Sequence, residues 1–307
     1  MGFTIPKPPH GSAEWLSARW ADETGNRLVS ASDAAAIYGL HPFKTKEEYA
    51  AEQMKQDKPK PTAPSEAMER GNRLEATLLE WTGDKIGKKV TTPDVLYREG
   101  RMCATLDGIT EDGVVVEIKT YNRTWSGTLP DHWRIQGVQQ AICSGTNKIV
   151  WGIFDSTLSL HIYEQNVSSD EMAEHTAAVN KWLESIDLDM TPPGVIWSYA
   201  TISERYGAIT GETIEVGPRG QDILFRLRHV RSEKKSYEAL EDSLKAEFCE
   251  LMAGAESATI DGNVVATWKS QVRSSFDSKS FKADNPTLAS QYTKPSTIRV
   301  FVTKGEK

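Results

Sequence analysis

The sequence predicts a mixed α/β fold, in which helices flank a sheet that is not doubly wound and parallel. A helix with apolar residues at helical spacing covers about residues 65–86. Two groups of strand-like runs follow it, at 95–120 and 148–164, and a helical segment at 131–144 separates them. The order helix, three-stranded meander, helix, two strands, helix is typical of a mixed sheet with helices packed on it.

The helices of this first part are recognised by their start signals and apolar spacing. SASD followed by AAAI, at residues 30–37, predicts a capped helix start. Residues 57–64 contain three prolines and form a loop, after which Ser65 begins the next helix. Apolar side chains of that helix recur at helical spacing: Leu74, Leu78, Leu79 and Trp81.

Five runs rich in apolar and β-branched residues predict strands. Glu111, Asp112 and Gly113 form a hairpin signal between the second and third runs, and a turn near Asp155 joins the last two. The runs are 95–98, 102–110, 114–120, 148–154 and 158–164. A helix over 169–186 follows, and Pro192 and Pro193 mark the end of this part.

The pattern changes beyond Pro193. We expect a core unit over residues 1–193, a linker over 194–220 and an accessory arm over 221–307. The arm begins with a long charged helix at 221–252 and continues with a hairpin at 258–268. A basic, Ser-rich stretch and a last strand at 297–303 end the chain.

Composition limits the classes of function. The net charge of −7 argues against a uniformly basic DNA-binding surface, because phosphate contacts need Lys and Arg. The charge is uneven, however, since residues 268–307 hold eight Lys or Arg and three Asp or Glu. The three widely spaced cysteines exclude a disulfide framework and a cysteine-based zinc site. Without a signal-peptide pattern or a membrane-spanning run, we expect a cytoplasmic protein with no membrane contact.

The most informative residues are charges placed in an apolar strand. Because side chains alternate along the run VVVEIK at 114–119, Glu117 and Lys119 share one face and Ile118 lies on the other. The hairpin brings Asp107 toward Glu117, and Glu75 on the preceding helix can complete the group. These carboxylates and the backbone carbonyl of Ile118 are the hard oxygen ligands that Mg²⁺ prefers. A buried ion pair explains the same spacing, so the pattern alone leaves both interpretations open.

Four blocks of sequence resemble the YqaJ-type phage recombinases and, more distantly, the lambda-exonuclease-like family. They occur in the family's order over about residues 13–185, and residues 275–299 resemble a C-terminal segment common in YqaJ-type proteins. The blocks are Trp15 and Arg19 with SASDAAAIYG at 30–39 and HPFK at 41–44; RGNRLE at 70–75; ATLDG at 104–108 with EIK at 117–119; and IQGVQ at 135–139.

The resemblance implies a restriction-endonuclease-like core with a C-terminal α+β extension. It also implies a cofactor, Mg²⁺, bound as two ions and replaceable by Mn²⁺, with Glu75, Asp107, Glu117 and the carbonyl of Ile118 as ligands. The residues that fall on the family's catalytic positions are Glu75, Asp107, Glu117 and Lys119. Arg19 and Ser32 fall where the family contacts the 5′-terminal phosphate. Gln136 and Gln139 fall on a later helix, and their spacing departs from that of the family's glutamines.

The implied activity is degradation of double-stranded DNA from the 5′ end, which leaves 3′ single-stranded tails for phage-type recombination. The implied partners are duplex DNA ends, further copies of the chain in a homo-oligomeric ring, and a single-strand annealing protein that coats the tail. The expected location is the cytoplasm of a bacterial host.

Other interpretations of the same residues stay open. The core can belong to an endonuclease or a single-strand nuclease, or to a DNA-end-binding protein without catalysis. Single residues have structural alternatives as well: Arg19 can pair with Asp22 or Glu23, Ser32 can be only a helix cap, Gln136 and Gln139 can form a solvated polar face, and Trp125 and Trp133 can stack on bases or pack in the core.

Overall fold

A computed structural model describes residues 2–55, 59–207, 211, 213–294 and 299–304. The chain forms two compact units, Met1–Arg205 and Tyr206–Lys307. The segment expected as a linker therefore contributes to the first unit. Its Ser198 donates a backbone N–H to Glu47 at 2.7 Å, and its Arg205 donates to the carboxylate of Asp189 at 2.6 Å.

Helices and strands alternate along the first unit. Serines cap three of its helices, since Ser12, Ser65 and Ser168 accept hydrogen bonds from backbone N–H groups three residues ahead. The elements are β1 Phe3–Pro6, α1 Ala13–Trp20, β2 Val29–Ser30, a 3₁₀ helix Ala34–Tyr38, α2 Lys46–Met54, α3 Glu66–Ile86, β3 Val90–Thr91, β4 Val95–Glu99, β5 Met102–Ala104, β6 Gly108–Thr110, β7 Val115–Thr120, α4 Asp131–Ser144, β8 Lys148–Phe154, β9 Leu160–Asn166, α5 Ser169–Asp187 and α6 Tyr199–Tyr206.

A five-stranded mixed sheet forms the centre of this unit, with strand order β3-β6-β7-β8-β9. β7 and β8 are parallel, whereas the other neighbouring strands are antiparallel. Parallel strands need a long crossover, and α4 lies in the connection between β7 and β8. The mixed sheet with flanking helices that the sequence predicts is confirmed.

The expected three-stranded meander over 95–120 is wrong. The run 102–110 forms two strands, because β5 belongs to a second sheet of order β1-β4-β5-β2 and β6 belongs to the central sheet. The chain passes from one sheet to the other at Thr105, Leu106 and Asp107, where Leu106 is buried in the core. Gly108 follows directly, as the first residue of β6, and apolar residues stand on both sides of the change.

Helices cover both faces of the central sheet. On one face, Leu78 and Leu79 of α3 pack with Val116 and Ile118 of β7. On the other face, α4 and α5 pack over Val115 and the inner residues of β8. β7 is therefore buried on both sides. Its alternation places Glu117 and Lys119 on one face, as the sequence predicts, and the structure turns that face toward α4.

The second unit consists of a long helix, a hairpin and two short helices. These are α7 Gly217–Met252, β10 Ser257–Ile260, β11 Asn263–Thr267, α8 Ser278–Asp284 and α9 Pro286–Tyr292. Asp261 and Gly262 both have positive φ, as the tight turn of a two-residue hairpin requires. The predicted helix and hairpin are confirmed. The predicted last strand is wrong for residues 299–303, which form no strand, and residues 297–298 lie outside the described residues.

Candidate active site

Glu117 is a buried carboxylate that three neighbours contact. Lys119 Nζ donates to Glu117 Oε1 at 2.8 Å, and Gln136 Nε2 donates to the same oxygen at 2.5 Å. The other oxygen accepts from Gln140 Nε2 at 2.6 Å. Lys119 also donates to Gln136 Oε1 at 3.0 Å, so the lysine, the glutamate and this glutamine form one closed network. Burial of the charge is tolerable because each oxygen has a donor.

Asp107 lies next to this network, at the point where the chain enters the central sheet. Its Oδ2 accepts a hydrogen bond from the backbone N–H of Ile118 at 2.9 Å, which fixes the carboxylate beside β7. Burial and the nearby charges of Glu117 and Glu75 raise the pKa of Asp107 well above its ordinary value. A carboxylate whose charged form is disfavoured in this way is stabilised either by a bound proton or by a neighbouring cation.

Glu75 on α3 is the third member of the group. Burial and the charge of Glu117 raise the pKa of Glu75, while Lys7 and Lys119 act in the opposite direction. Glu75 and Asp107 line a cavity of about 270 Å³ together with Asn72, Lys7 and His10. The structure thus brings together the four residues that the sequence predicts as catalytic, and we call them the carboxylate–lysine group.

The chemistry of this group fits a hard divalent cation. Its donors are carboxylate oxygens, and a cation would relieve the burial and the mutual repulsion that raise the pKa values of Asp107 and Glu75. Among the described residues, however, no three His, Cys, Asp or Glu side chains already form a metal-holding cluster. Both oxygens of Glu117 are engaged by Lys119 and the two glutamines. A cation would share Glu117 with these donors or displace one of them.

The glutamine pair of α4 differs from the expectation. Gln136 lies in the site, but Gln139 is fully buried elsewhere and donates to the backbone carbonyls of Val29 and Cys103 at 2.8 and 3.0 Å. Gln139 thus joins α4 to the second sheet and does not reach Glu117. Gln140 takes the position beside Glu117 that the sequence reasoning missed. Helical periodicity was the available signal, because Gln140 lies four residues after Gln136 and therefore on nearly the same side of the helix. Gln139, three residues after Gln136, is rotated further away from that side.

Arg19 and Ser32 lie together in a second, larger cleft. Arg19 Nη2 donates to Ser30 Oγ at 2.9 Å and to Ser32 Oγ, and its guanidinium lies 4.0 Å from the centre of the Trp15 ring. Asp22 and Glu23, the alternative partners of Arg19, bond elsewhere: Asp22 accepts from its own loop, and Glu23 pairs with Arg98. Ser32 is not a helix cap, because Asp33 is the N-cap residue of the 3₁₀ helix.

This Arg19 cleft has a volume of about 600 Å³ and a basic lining. Lys44, Lys55 and Lys60 line it in addition to Arg19. Lys44 is held by Asp33 at 3.2 Å and by Glu52 at 2.7 Å. Burial opposes the ionisation of Asp33, but the charges of Lys44 and Arg19 outweigh it and lower the pKa of Asp33. Cations and serine hydroxyls in one concave site suit a phosphate group.

Helix α3 connects the Arg19 cleft with the carboxylate–lysine group. Met68 lines the cleft, and Asn72 and Glu75 line the carboxylate cavity. Met68 and Glu75 are seven residues apart, so they lie on one face of the helix and about 10 Å apart along its axis. The two sites therefore lie along the same side of α3, within the length of a few nucleotides of one strand.

The tryptophans that follow β7 belong to the core. Trp133 is buried between Trp125 and Trp151, and the rings stack at centroid distances of 6.4 and 6.1 Å. Lys119 Nζ lies 5.8 Å from the centre of the Trp151 ring. Of the two alternatives for Trp125 and Trp133, the structure favours core packing. The stacked rings end at Trp151, which packs against Lys119.

Residues 14–147 match the family model of the YqaJ-like viral recombinase domain. The matched segment contains all four members of the carboxylate–lysine group and the Arg19 cleft. The match spans 134 of the 307 residues, so the first unit contains a region that is similar to this viral recombinase domain. The mixed sheet flanked by helices in this unit agrees with the fold class that the sequence predicts.

Solved structures of similar proteins include two exonucleases. An alkaline exonuclease from Laribacter hongkongensis is 21% identical, with 58% of this chain and 94% of that chain covered and a TM-score of 0.48. The same enzyme in complex with dAMP gives 20% identity, coverage of 58% and 94%, and the same TM-score. A phage related exonuclease from Haemophilus somnus is 14% identical, covers 54% and 97%, and has a TM-score of 0.39.

A comparison with curated proteins gave no significant match. No helix in the described part of the chain combines the length and the hydropathy that crossing a bilayer requires.

Proposed function

We propose that this protein is a Mg²⁺-dependent exonuclease that degrades double-stranded DNA from the 5′ end and leaves 3′ single-stranded tails for recombination. The observation that carries the proposal is the carboxylate–lysine group beside a basic cleft. Glu75 of this group lies on α3, Asp107 directly precedes β6, and Glu117 and Lys119 lie on β7. The viral recombinase domain supports the DNA substrate and the role in recombination.

The catalytic roles follow from the position of each side chain. Glu75, Asp107 and Glu117, with the backbone carbonyl of Ile118, would hold the cation, as two ions or one, with Mn²⁺ as a substitute. When bound, Mg²⁺ supplies Lewis-acid chemistry by polarising the phosphoryl oxygen and activating water. Lys119 places a positive charge beside these carboxylates, where it stabilises the charge that develops on the phosphoryl group.

Gln136 and Gln140 have a positioning role in this proposal. Both amides donate to Glu117, so they fix the orientation of its carboxylate and stabilise its buried charge by hydrogen bonds. Gln136 also accepts from Lys119 and thereby restricts the ammonium group to the site. Gln139 acts only in the core.

The polarity of degradation is assigned from the Arg19 cleft. Arg19 and Ser32 would bind the 5′-terminal phosphate, and Lys44, Lys55 and Lys60 add positive charge around it. Because this cleft and the carboxylate–lysine group lie along one side of α3, a strand anchored by its 5′ phosphate would pass its nearby phosphodiesters to the cation site. An endonuclease has no use for such an end-specific anchor.

Assembly and partners complete the proposal. By its resemblance to the family, the protein would form a homo-oligomeric ring around duplex DNA, and an annealing protein would coat the tail that it produces. Both would act in the cytoplasm of the bacterial host.

Digestion of linear duplex DNA labelled separately at its 5′ and 3′ ends tests the proposal. With Mg²⁺, the 5′ label should be released first and as small products, while EDTA should prevent release. Earlier release of the 3′ label would contradict the polarity, and cutting of circular DNA would indicate an endonuclease. Label release in EDTA would exclude the cation, and end binding without release would indicate a protein without catalysis.

Asp107→Asn is the matched inactive variant. The amide keeps an oxygen that can accept from Ile118 but removes the charge, so cleavage should fall below detection while DNA binding is retained. Because repulsion with Glu117 and Glu75 is also removed, the melting temperature without metal should not fall. Addition of Mg²⁺ should raise the melting temperature of the wild type and not that of the variant. Wild-type rates in the variant would exclude the metal site.

A further inference from the structure

Helix α7 presents an apolar stripe that the described part of the chain leaves exposed. Along its 36 residues, one apolar side chain recurs every seven positions. These five side chains are between 52% and 80% exposed. They are Ile223, Val230, Tyr237, Leu244 and Leu251.

The spacing is that of one core position of a coiled coil. If the five residues occupy one core position of a heptad, the second core position falls on Leu227, Lys234, Glu241 and Phe248. The outer two of these four are apolar and the middle two carry opposite charges. A strict seven-residue spacing kept at five successive positions is a signal of helix pairing, since a solvated helix has no need of it.

Contacts within the second unit leave this stripe free. Arg228 donates to the backbone carbonyl of Lys304 at 3.3 Å, and Arg231 donates to Thr303 Oγ1 at 2.8 Å, so the C-terminal segment lies along the flank of α7. Val230, between these two arginines, is nevertheless 60% exposed. A helix this long, with apolar side chains in water, gains most of its stability from packing against a partner.

The charge distribution of α7 identifies the partner as a second copy of the same helix. Residues 217–235 contain six basic and two acidic side chains, whereas residues 236–252 contain five acidic and one basic. Antiparallel pairing of two copies places each basic half opposite an acidic half. Parallel pairing would place like charges together, which is unfavourable along a whole interface.

We propose that α7 pairs antiparallel with α7 of a second copy of this chain, about a centre at Tyr237. In this register Val230 of one copy meets Leu244 of the other, and Ile223 meets Leu251. Lys234 of one copy lies beside Glu241 of the other, which gives the charged core positions a partner. The interface is independent of the proposed nuclease activity and joins two protein copies through their second units.

Site-directed cross-linking of the full chain tests the pairing and its direction. Cys103 and Cys143 are buried, so Cys249→Ser removes the accessible thiol. Val230→Cys and Leu244→Cys are then introduced separately, one protein carries a size tag, and a short bismaleimide is added. A mixture of the two should give a tagged–untagged dimer with at least fivefold higher yield than either protein alone. High yield with Val230→Cys alone would show a parallel pair, and no cross-linking in any sample would show that α7 does not pair; either result overturns the proposal.

Two further variants examine the stripe and its charges with the same readout. Tyr237→Asp, on the stripe, should lower the mixed cross-link yield at least fivefold, whereas Phe225→Asp, an equally exposed aromatic on the opposite side of α7, should not. Lys234→Glu should lower the yield, and the double variant with Glu241→Lys should restore it. Equal effects of Tyr237→Asp and Phe225→Asp, or no restoration in the double variant, would assign the contact to another surface.

Discussion

At the scale of single residues, the buried charge of Glu117 controls how its neighbours are arranged. Three donors satisfy its oxygens, and the side-chain oxygen of Gln140 has no donor among the described residues. A buried amide oxygen without a donor costs free energy, so Gln140 is kept in place by its bond to Glu117 and not by its own solvation. The network therefore depends on the carboxylate, and Lys119 is the more exposed of the two charged members.

Lys119→Ala should separate catalysis from binding. Loss of the ammonium group should reduce turnover by about 10² to 10³, because its charge acts on the transition state. DNA affinity should change by less than about threefold, which single-turnover kinetics and a binding titration on the same duplex measure. If affinity falls as much as turnover, Lys119 is a phosphate-binding residue and not a catalytic one. Arg73→Ala, an exposed change on α3, serves as the control for general effects of lost positive charge.

Arg19→Ala should remove the preference for phosphorylated ends. Arg19 contacts Ser30 and Ser32 in the cleft, so its loss leaves the hydroxyls without the charge that attracts a terminal phosphate. Rates on 5′-phosphorylated and 5′-hydroxyl duplexes, which should differ in the wild type, should converge in the variant. Undiminished discrimination would assign the terminal phosphate to other residues, of which Lys44 is the next candidate.

At the scale of elements, His175 of α5 links three parts of the first unit. Gln139 uses its amide nitrogen on two backbone carbonyls, so its oxygen accepts from His175 Nε2 at 3.0 Å. His175 Nδ1 then accepts from the hydroxyl of Tyr38 at 2.9 Å. The imidazole is therefore neutral, and burial lowers its pKa to about 4.

This histidine should make the first unit sensitive to mild acid. The unfolded chain binds a proton at His175 near pH 6.5 and the folded protein only near pH 4, so folding stability falls as the pH decreases through this window. The loss amounts to about 3 kcal/mol over the whole window. In His175→Gln, which cannot ionise, the free energy of unfolding from denaturant titrations should fall less between pH 6.5 and 4 than in the wild type. Parallel pH curves for the two proteins would contradict the assignment.

The elements were predictable where local signals agree with tertiary packing. α3 and α4 begin and end within a residue of their predicted bounds, because Ser65 and Gly87 cap α3 and because Pro130 and Gly145 flank α4. β7 was predictable for a similar reason, and its alternation gave the shared face of Glu117 and Lys119. The break after β5 was not predictable, because it depends on which sheet each half of 102–110 joins. Both halves contain apolar residues, so the sequence does not distinguish them.

The candidate site was predictable to a similar extent. Asp107 and Glu117 meet because β6 and β7 form the hairpin that the sequence indicates. The exchange of Gln139 for Gln140 could not be read from the family blocks, since it depends on the rotation of α4 over the sheet. The roles of Glu75, Asp107, Glu117 and Lys119 in catalysis stay predictions until the variants above are measured.

At the scale of the whole molecule, charge and exposure are divided unequally between the two units. The chain has a net charge of −7, yet residues 268–307 hold eight basic and three acidic side chains. Most residues of the second unit are exposed, whereas the cores described above lie in the first. The positive charge of the second unit is concentrated in this segment, which suits a role in holding DNA.

A chain that ends after Arg205 should retain chemistry and lose retention of DNA. The first unit contains the carboxylate–lysine group and the Arg19 cleft, so Mg²⁺-dependent cleavage of short duplexes should persist at a rate within about threefold of the full chain. An end at Pro193 would remove Ser198 and Arg205, whose bonds to Glu47 and Asp189 hold the edge of this unit, and should lower its melting temperature. On long DNA, the number of nucleotides removed per binding event should fall, and its further decline with salt should be shallower than in the full chain, because counterion release by the basic segment is lost. Neutralising Lys269, Arg273, Lys279 and Lys282 in the full chain is the matched control: it should reproduce the salt sensitivity if the segment holds DNA, and leave it unchanged if the second unit acts only through assembly. If the shortened protein folds and degrades long DNA as processively as the full chain at every salt concentration, the second unit is a stabilising appendage with no part in either task.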